Sequence, residues 1–172
     1  NVVYIDGALT IGKATPVVTW ANPATIAYGT PLSATQLDAT ASVPGSFVYT
    51  PAAGAILPVG TDTLSVTFTP TDTATYTAVT QAATIQIGQA TLTVTAANAS
   101  RTFGAANPIF TATAVGAVNG DTFTLTASTT ATTSSPVGTY PITPLATGSN
   151  LASYNVVYID GALTIGKATP VV

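Results

Sequence analysis

Apolar and polar side chains alternate with a period of two through most of the chain. Thr63-Leu64-Ser65-Val66-Thr67-Phe68-Thr69, Thr91-Leu92-Thr93-Val94-Thr95 and Thr122-Phe123-Thr124-Leu125-Thr126 each put the apolar residues on one face and hydroxyls on the other. That is the pattern of a strand with one face in a core and one in water, and it predicts half-buried antiparallel strands. Turn-forming pairs fall at Asn22-Pro23, Tyr28-Gly29, Pro44-Gly45, Val59-Gly60, Asn107-Pro108, Asn119-Gly120 and Asp160-Gly161. Their spacing of roughly ten residues suits a sandwich or small barrel. Helical periodicity of useful length is absent; at most one turn fits Ala112 to Asn119. Tyr154 to Ile165 reads as a hairpin, because Asp160-Gly161 accepts the positive φ angles of a type I′ turn. Tyr76 to Ile87 has Ala82-Ala83 at the matching place and reads as one bent strand.

The pattern repeats at two levels. Asn1 to Val18 and Asn155 to Val172 are identical letter for letter, so the 172 residues form one period of 172 − 18 = 154 residues followed by the start of the next. Within the period, Pro58-Val59-Gly60-Thr61 returns as Pro136-Val137-Gly138-Thr139, Tyr76 as Tyr154 and Gly88 as Gly166, all 78 residues on. Earlier landmarks agree at slightly smaller offsets: Tyr28-Gly29 answers Phe103-Gly104, and Gly12-Lys13-Ala14-Thr15 answers Gly88-Gln89-Ala90-Thr91. The expected division is therefore a closing hairpin of a preceding domain over 1–12, a sandwich over 13–88, a related β domain over 89–166, and the opening of the next period over 167–172. The joints at Gly88-Gln89-Ala90 and Gly166-Lys167-Ala168 leave no flexible tether, which predicts domains stacked end to end. With the first and last strands at opposite ends of each sandwich, the chain enters and leaves at opposite poles, and each domain adds about 30 to 40 Å.

A domain of this size buries only about 60% of its unfolded surface, and the chain has no cysteine to staple it. The core must come from Trp20, Leu32, Phe47, Leu64, Val66, Phe68, Tyr76 and Ile85 in the first half. In the second it must come from Leu92, Val94, Phe110, Phe123, Leu125, Ile142, Tyr154, Val156, Leu163 and Ile165.

Composition narrows function chiefly by exclusion. Charged residues make up 5% of the chain, with three cations (Lys13, Arg101, Lys167), six aspartates and a net charge of −3; His, Cys, Met and Glu are missing. Imidazole bases, thiol nucleophiles and Cys/His metal clusters are thereby unavailable, which argues against an enzyme. Three cations cannot neutralise a phosphate backbone, so nucleic acid is not an expected partner. Polar residues interrupt every apolar run before the ~18 residues of a membrane helix, so no span is expected in this segment. The start without Met or a signal peptide suggests a piece of a longer chain. A surface coated with threonine hydroxyls and few charges offers little repulsion between neighbouring molecules.

The remaining candidate chemistry is thin, and no cofactor or metal is expected. Asp62 and Asp72 flank one strand and Asp6 or Asp38 could approach them to hold Ca²⁺, but without a clustered run they read as turn aspartates in water. Lys13 and Lys167 stand near strand starts, where an isopeptide bond would also need a buried acid; they read as exposed lysines at the joints. Thr-x-Thr ladders suit ice or polysaccharide, yet threonine is also simply a good strand residue. Trp20, Tyr49, Tyr140 and Tyr158 fit a core better than a sugar platform, and Asn98-Ala99-Ser100 is an N-glycosylation sequon. Val3, Ile5, Leu9 and Ile11 of the first segment need a sheet to cover them. They are the candidate assembly residues, which would complete a neighbouring copy by strand addition.

Val18-Thr19-Trp20-Ala21-Asn22-Pro23, Ile26-Ala27-Tyr28-Gly29-Thr30, Val66-Thr67-Phe68-Thr69-Pro70 and Tyr76 resemble bacterial Ig-like repeats. Phe103-Gly104, Asn107-Pro108, Asn119-Gly120-Asp121-Thr122, Val137-Gly138-Thr139-Tyr140-Pro141-Ile142 and the ending Tyr154…Asp160-Gly161-Ala162-Leu163-Thr164-Ile165 resemble the MBG domain of YGX type, an adhesin repeat, with Phe103 where the family name leads one to expect Tyr. The resemblance implies an extracellular or cell-surface stalk, adhesin or fibre with no active site. The expectation is thus an all-β chain of tandem Ig-like β-sandwich domains arranged end to end, the second being the same sandwich or a related small β fold. It would serve as a structural repeat whose partners are neighbouring copies of itself, end to end, side by side or by strand addition. The alternative function is a carbohydrate- or ice-binding adhesin module.

Overall fold

A computed structural model describes residues 9–168. The regular secondary structure is almost wholly strand, and the chain divides into two compact units. One runs to Ile26 and resumes over Thr30–Ile87; the other takes in Ala27–Gly29 and the chain from Gly88 onward.

In the first unit β1 (Val18–Thr19) pairs with β3 (Thr40–Ala41) in a short ladder, while β2 (Ile26–Ala27), β6 (Val79–Gly88), β5 (Gly60–Pro70) and β4 (Gly45–Thr50) lie in that order in a second sheet. β5 shows why alternation becomes structure. Its Leu64, Val66 and Phe68 are fully buried, each worth about 1.5–3 kcal/mol relative to exposure, while Thr63, Thr67 and Thr69 stay on or near the outer face. A one-residue slip would exchange the faces, so the register is well defined: β5 meets β6 from Gly60 opposite Ile87 to Phe68 opposite Val79. Trp20 belongs to this core. It stands edge-on to Tyr49 at 5.3 Å and donates its indole N–H to the Gln36 carbonyl at 3.1 Å.

The second unit is a two-layer sandwich. One layer holds β12 (Tyr154–Ile159), β7 (Ala90–Ala96) and β9 (Ala112–Val115); the other holds β10 (Thr124–Ser128), β11 (Gly138–Thr147), β13 (Gly161–Gly166) and β8 (Ala99–Thr102). Leu92, Val94, Ala146 and Tyr154 form one buried cluster between the layers, and Ala96, Ala131, Ile142, Leu163 and Ile165 form another. The segment allotted to a helical turn is strand β9 in its first half and loop in its second; the one helical feature among the described residues is a 3-10 turn at Leu151–Ser153. Phe47, Tyr76, Phe110, Phe123, Leu125 and Val156, expected in the core, are half-buried at its margins.

The expected closing hairpin is not formed. β12 and β13 do not pair with each other. β12 runs parallel to β7, from Tyr154 opposite Ala90 to Ile159 opposite Thr95, and β13 runs parallel to β8 and antiparallel to β11. Asp160 is thus the point where one extended segment crosses from layer to layer, and Gly161 is not among the glycines with positive φ. The reason lies in space rather than in turn chemistry. A Cβ on Gly161 would stand 2.8 Å from the Ala96 carbonyl oxygen and 2.6 Å from that of Ala97. Those carbonyls lie where β7 gives way to β8, so the two crossings touch backbone to backbone and only glycine fits.

This arrangement also corrects two further expectations. The pairing is not antiparallel throughout, and the opening and closing segments of the second unit lie side by side, β7 against β12 in one layer and β8 against β13 in the other, not at opposite ends of the sheets. Because they run parallel, Ala90 and Gly166 still mark opposite ends of the ladders.

The internal echo extends to hydrogen-bond register. Gly60 opposite Ile87 in the first unit corresponds to Gly138 opposite Ile165 in the second, and the parallel bridge Ala14–Tyr76 corresponds to Ala90–Tyr154. The halves diverge at Ala83, which stands where the second half has Gly161. β6 keeps its antiparallel partner past that point, whereas the second half changes layers.

Candidate functional site

The residues singled out for chemistry are dispersed or occupied. Asp62 accepts the N–H of Thr63 at 2.7 Å, and Asp72 accepts those of Ala74 and Thr75 at 3.0 and 3.1 Å. Hydrogen bonds from Thr75, seconded by the Ala74 N–H and the nearby Lys13 charge, hold the Asp72 carboxyl below its ordinary pKa. Asp38 and Asp160 are exposed, as are Lys13 and Lys167, and Asp6 lies outside the described residues. Among the described residues no group of three or more His, Cys, Asp or Glu side chains could hold a metal ion, and no helix is long and apolar enough to cross a membrane. Tyr49 accepts the Ala39 N–H, and Tyr140 donates to the Pro136 carbonyl. Asn98 of the sequon accepts the Ala162 N–H at 2.8 Å. Tyr158 is 42% exposed.

The assembly candidates give a sharper result. Val3 and Ile5 lie outside the described residues. Leu9 and Ile11 belong to no strand and are 88% and 86% exposed, whereas Leu163 and Ile165, the same residues of the identical later segment, are 0% and 1% exposed. What covers Leu163 and Ile165 is the rest of the second unit. In the folded copy of this segment Val157 and Ile159, which answer Val3 and Ile5, are 41% and 46% exposed, while Val156 packs against the core.

The densest polar arrangement of the described residues went unnoticed in the sequence. Tyr28, within the second unit, stands edge-on to Tyr154 at 5.6 Å, and Phe123 meets the same ring at 5.2 Å. Tyr154 donates its hydroxyl to Asp121 at 2.7 Å and accepts the Val118 N–H at 3.1 Å, while the Tyr28 hydroxyl reaches the same carboxylate at 3.2 Å. Asn150 holds the other carboxylate oxygen at 2.6 Å. Asn119 and Gly120, both at positive φ, make the turn that delivers Asp121. Hydrogen bonds from Tyr154 and Asn150 keep the Asp121 carboxyl below its usual range, and burial followed by the Asp121 hydrogen bond raises the Tyr154 phenol. Nothing here is a nucleophile with a base. The arrangement is a socket of fixed geometry that holds the Tyr28-Gly29 turn, with Gly29 so close to Val118 that a Cβ would lie 2.8 Å from the valine Cβ. A Tyr-Gly pair reads as an ordinary turn in sequence, which is why the socket was not anticipated.

Arg101 was also missed. It is buried beside carbonyl oxygens, donating to Asn107 Oδ1 at 2.7 Å and to the carbonyls of Thr102 and Thr132, while Asn107 donates to the Ala131 carbonyl at 2.7 Å. This is a structural clamp that fastens the 129–135 loop to β8.

The described residues thus form two all-β units, the second a sandwich with a polar socket of fixed geometry. Residues 92–164 match the family described as MBG domain (YGX type). That segment contains Phe103-Gly104 but not Tyr28-Gly29. No curated protein matches the chain. Among solved structures the chain is similar to the fibronectin(III)-like modules of Clostridium thermocellum CbhA, at 11% identity over 88% of this chain and 95% of that one, with a TM-score of 0.27.

Proposed function

We propose that the chain is one period of an extracellular tandem-repeat shaft, a stalk, filament or adhesin stem whose work is to span distance and whose partners are further copies of itself. The observation that carries the reading is repetition at every level. An 18-residue segment recurs identically, and the two halves share strand register down to individual pairs. The match of residues 92–164 to an MBG domain supports a surface location. In this reading the domains run over 13–88 and 89–166 and stack end to end. Residues 1–12 complete a domain before this period, and Leu9 and Ile11 find there the cover that Leu163 and Ile165 have here. Weak charge permits shafts to lie side by side.

Electron microscopy of a chain of several consecutive periods tests this. The expected image is thin rods with a repeat near 70–80 Å, from two domains at strand rise. Compact, featureless particles would refute it.

A further inference from the structure

Among the described residues, the first unit carries an unfilled counterpart of the socket. Asp121, Thr122, Asn150 and Tyr154 correspond to Val43, Pro44, Asp72 and Tyr76, each 78 residues earlier, the same offset at which Ser46 opposite Thr69 answers Thr124 opposite Thr147. Val43, Pro44, Thr71, Asp72 and Tyr76 line a hollow of about 300 Å³ with mostly apolar walls. Its counterpart in the second unit holds Tyr28-Gly29.

The second half in turn carries an unplaced counterpart of the turn that fills the socket. Phe103 donates its N–H to the Gly166 carbonyl at 2.8 Å, as Tyr28 does to the Gly88 carbonyl at 2.8 Å. Gly104 has φ +82° and Gly29 φ +89°, so the two turns share one shape. Their surroundings differ. Nothing lies within 4 Å of a Cβ on Gly104, and Phe103 is 46% exposed.

We infer that the Phe103-Gly104 turn of one copy docks into the Val43-Pro44-Tyr76 hollow of another copy, making the joint between successive periods. The inference deepens the shaft reading and rests on it. The chemistry of the two pairs matches. Tyr28 brings a hydroxyl, and its socket supplies Asp121 to accept it. Phe103 brings none, and position 43, which answers Asp121, is Val. A valine there needs no hydroxyl from the incoming ring, and the Asp72 carboxylate that also lines the hollow already accepts the Ala74 and Thr75 N–H groups. The Gln89-Ala90 that follows Gly88 is likewise answered by Lys167-Ala168 after Gly166. The docked turn would therefore stand beside the start of the domain it enters.

The chain has no cysteine, so a designed disulfide has no competitor. In a chain of two periods, Gly104→Cys in the first is combined with Val43→Cys in the second; Gly29→Cys with Val118→Cys is the reference pair for a filled socket. The reference Cβ positions, 2.8 Å apart, need to part by about 1 Å to reach disulfide geometry. The joint pair is expected to oxidise at a rate close to the reference. It should also be at least about tenfold faster than Gly104→Cys with Val48→Cys, because docking raises the local concentration of one thiol about the other. A rate equal to the Val48 pair overturns the inference. Phe103→Ala supplies a readout free of backbone strain. It should lower the melting temperature of the two-period chain by several degrees more than that of the single chain, and equal shifts in both would also overturn the docking. Micrographs of the multi-period chain decide the shaft reading separately. Rods without the disulfide sink the docking alone, and compact particles sink the shaft whatever the thiols do.

Discussion

Gly161→Ala tests the layer crossing that distinguishes the second unit from the hairpin its sequence suggests. The added methyl would lie 2.6, 2.8 and 2.9 Å from the Ala97 oxygen, the Ala96 oxygen and the Ala97 carbonyl carbon. Non-bonded heavy atoms with carbon prefer about 3.5–4.0 Å, so the backbone of one crossing must retreat by something near 0.7–1 Å. Both crossings are anchored: Leu92, Val94, Leu163 and Ile165 on either side are buried to within 1%, and a rotamer change cannot relieve a clash between main chains. Overpacking of this sort costs about 1–3 kcal/mol, here toward the upper end. Gly→Ala also stiffens the unfolded chain and returns about 0.4–1 kcal/mol. A net loss of about 2 kcal/mol remains, which in a domain of this size lowers Tm by roughly 8–16 °C.

Calorimetry of the 172-residue chain measures this, with the fluorescence of Trp20, the chain's one tryptophan, marking the transition of the first unit. Gly12→Ala is the matched control, because nothing lies within 4 Å of its Cβ and its φ is ordinary. It should be neutral or slightly stabilising. If Gly161→Ala melts within about 2 °C of the parent, the crossing argued from these contacts is wrong. Residues 154–165 would then be folded with Gly161 clear of Ala96 and Ala97, as a hairpin would leave it.

The identical end segments supply a second test. Leu163→Ala should cost about 3–5 kcal/mol by denaturant titration, and Leu9→Ala, in the same sequence but 88% exposed, less than about 0.5 kcal/mol; equal losses would refute the difference in cover. Arg101→Met removes the donors to Asn107 and the Thr102 and Thr132 carbonyls and should lower stability by about 2–3 kcal/mol in the same titration, with a loss below ~0.5 kcal/mol refuting the clamp. The socket should also show in the pH dependence. Asp121 is held below 3.8 when folded, so its contribution is present above that value and is lost as pH falls through the folded pKa; Tyr154 is raised above 10.0, so its contribution is complete below pH 10 and is lost as pH rises beyond it. Thermal melts of Asp121→Asn should show a smaller acid-side change, leaving the part that Asp72 contributes, and those of Tyr154→Phe a smaller alkaline one, leaving the part from Tyr49. Unchanged profiles would show that neither group is linked to folding.

Which parts of this fold were legible follows from the range of each signal. Alternation is local, and it located β5, β7 and most of β10 because one buried face per strand is written into neighbouring residues. Repetition is visible at any distance, and it paired Gly60 with Gly138 and Tyr76 with Tyr154 before any contact was known. Partner choice is neither local nor repeated. Asp160-Gly161 satisfies a tight turn and equally an extended crossing, and nothing within the segment says that β7 and β8 offer parallel edges to receive it. The socket was hidden for a related reason: Tyr28 lies between β2 and residue 30 in sequence, yet it is counted with the second unit. Arg101 gave the least signal of all, a lone charge in a strand with its amide partner six residues away.

The layer crossing has a mechanical meaning in the shaft reading. β7 runs parallel to β12 over six residue pairs and β8 parallel to β13 over four, so the opening and closing segments of the second unit lie against each other for nearly their whole length. A tension drawn between Ala90 and Gly166 pulls these two neighbours in opposite senses along their ladders. It must shear the backbone hydrogen bonds together, where a closing hairpin at the edge of a sheet would release them one pair at a time. Forced unfolding is governed by the barrier and not by equilibrium stability, so a small cysteine-free domain of ordinary stability can resist load through pairing geometry alone. Gly161 is what permits that geometry, because a hairpin needs a glycine for its φ but this crossing needs one for the missing Cβ.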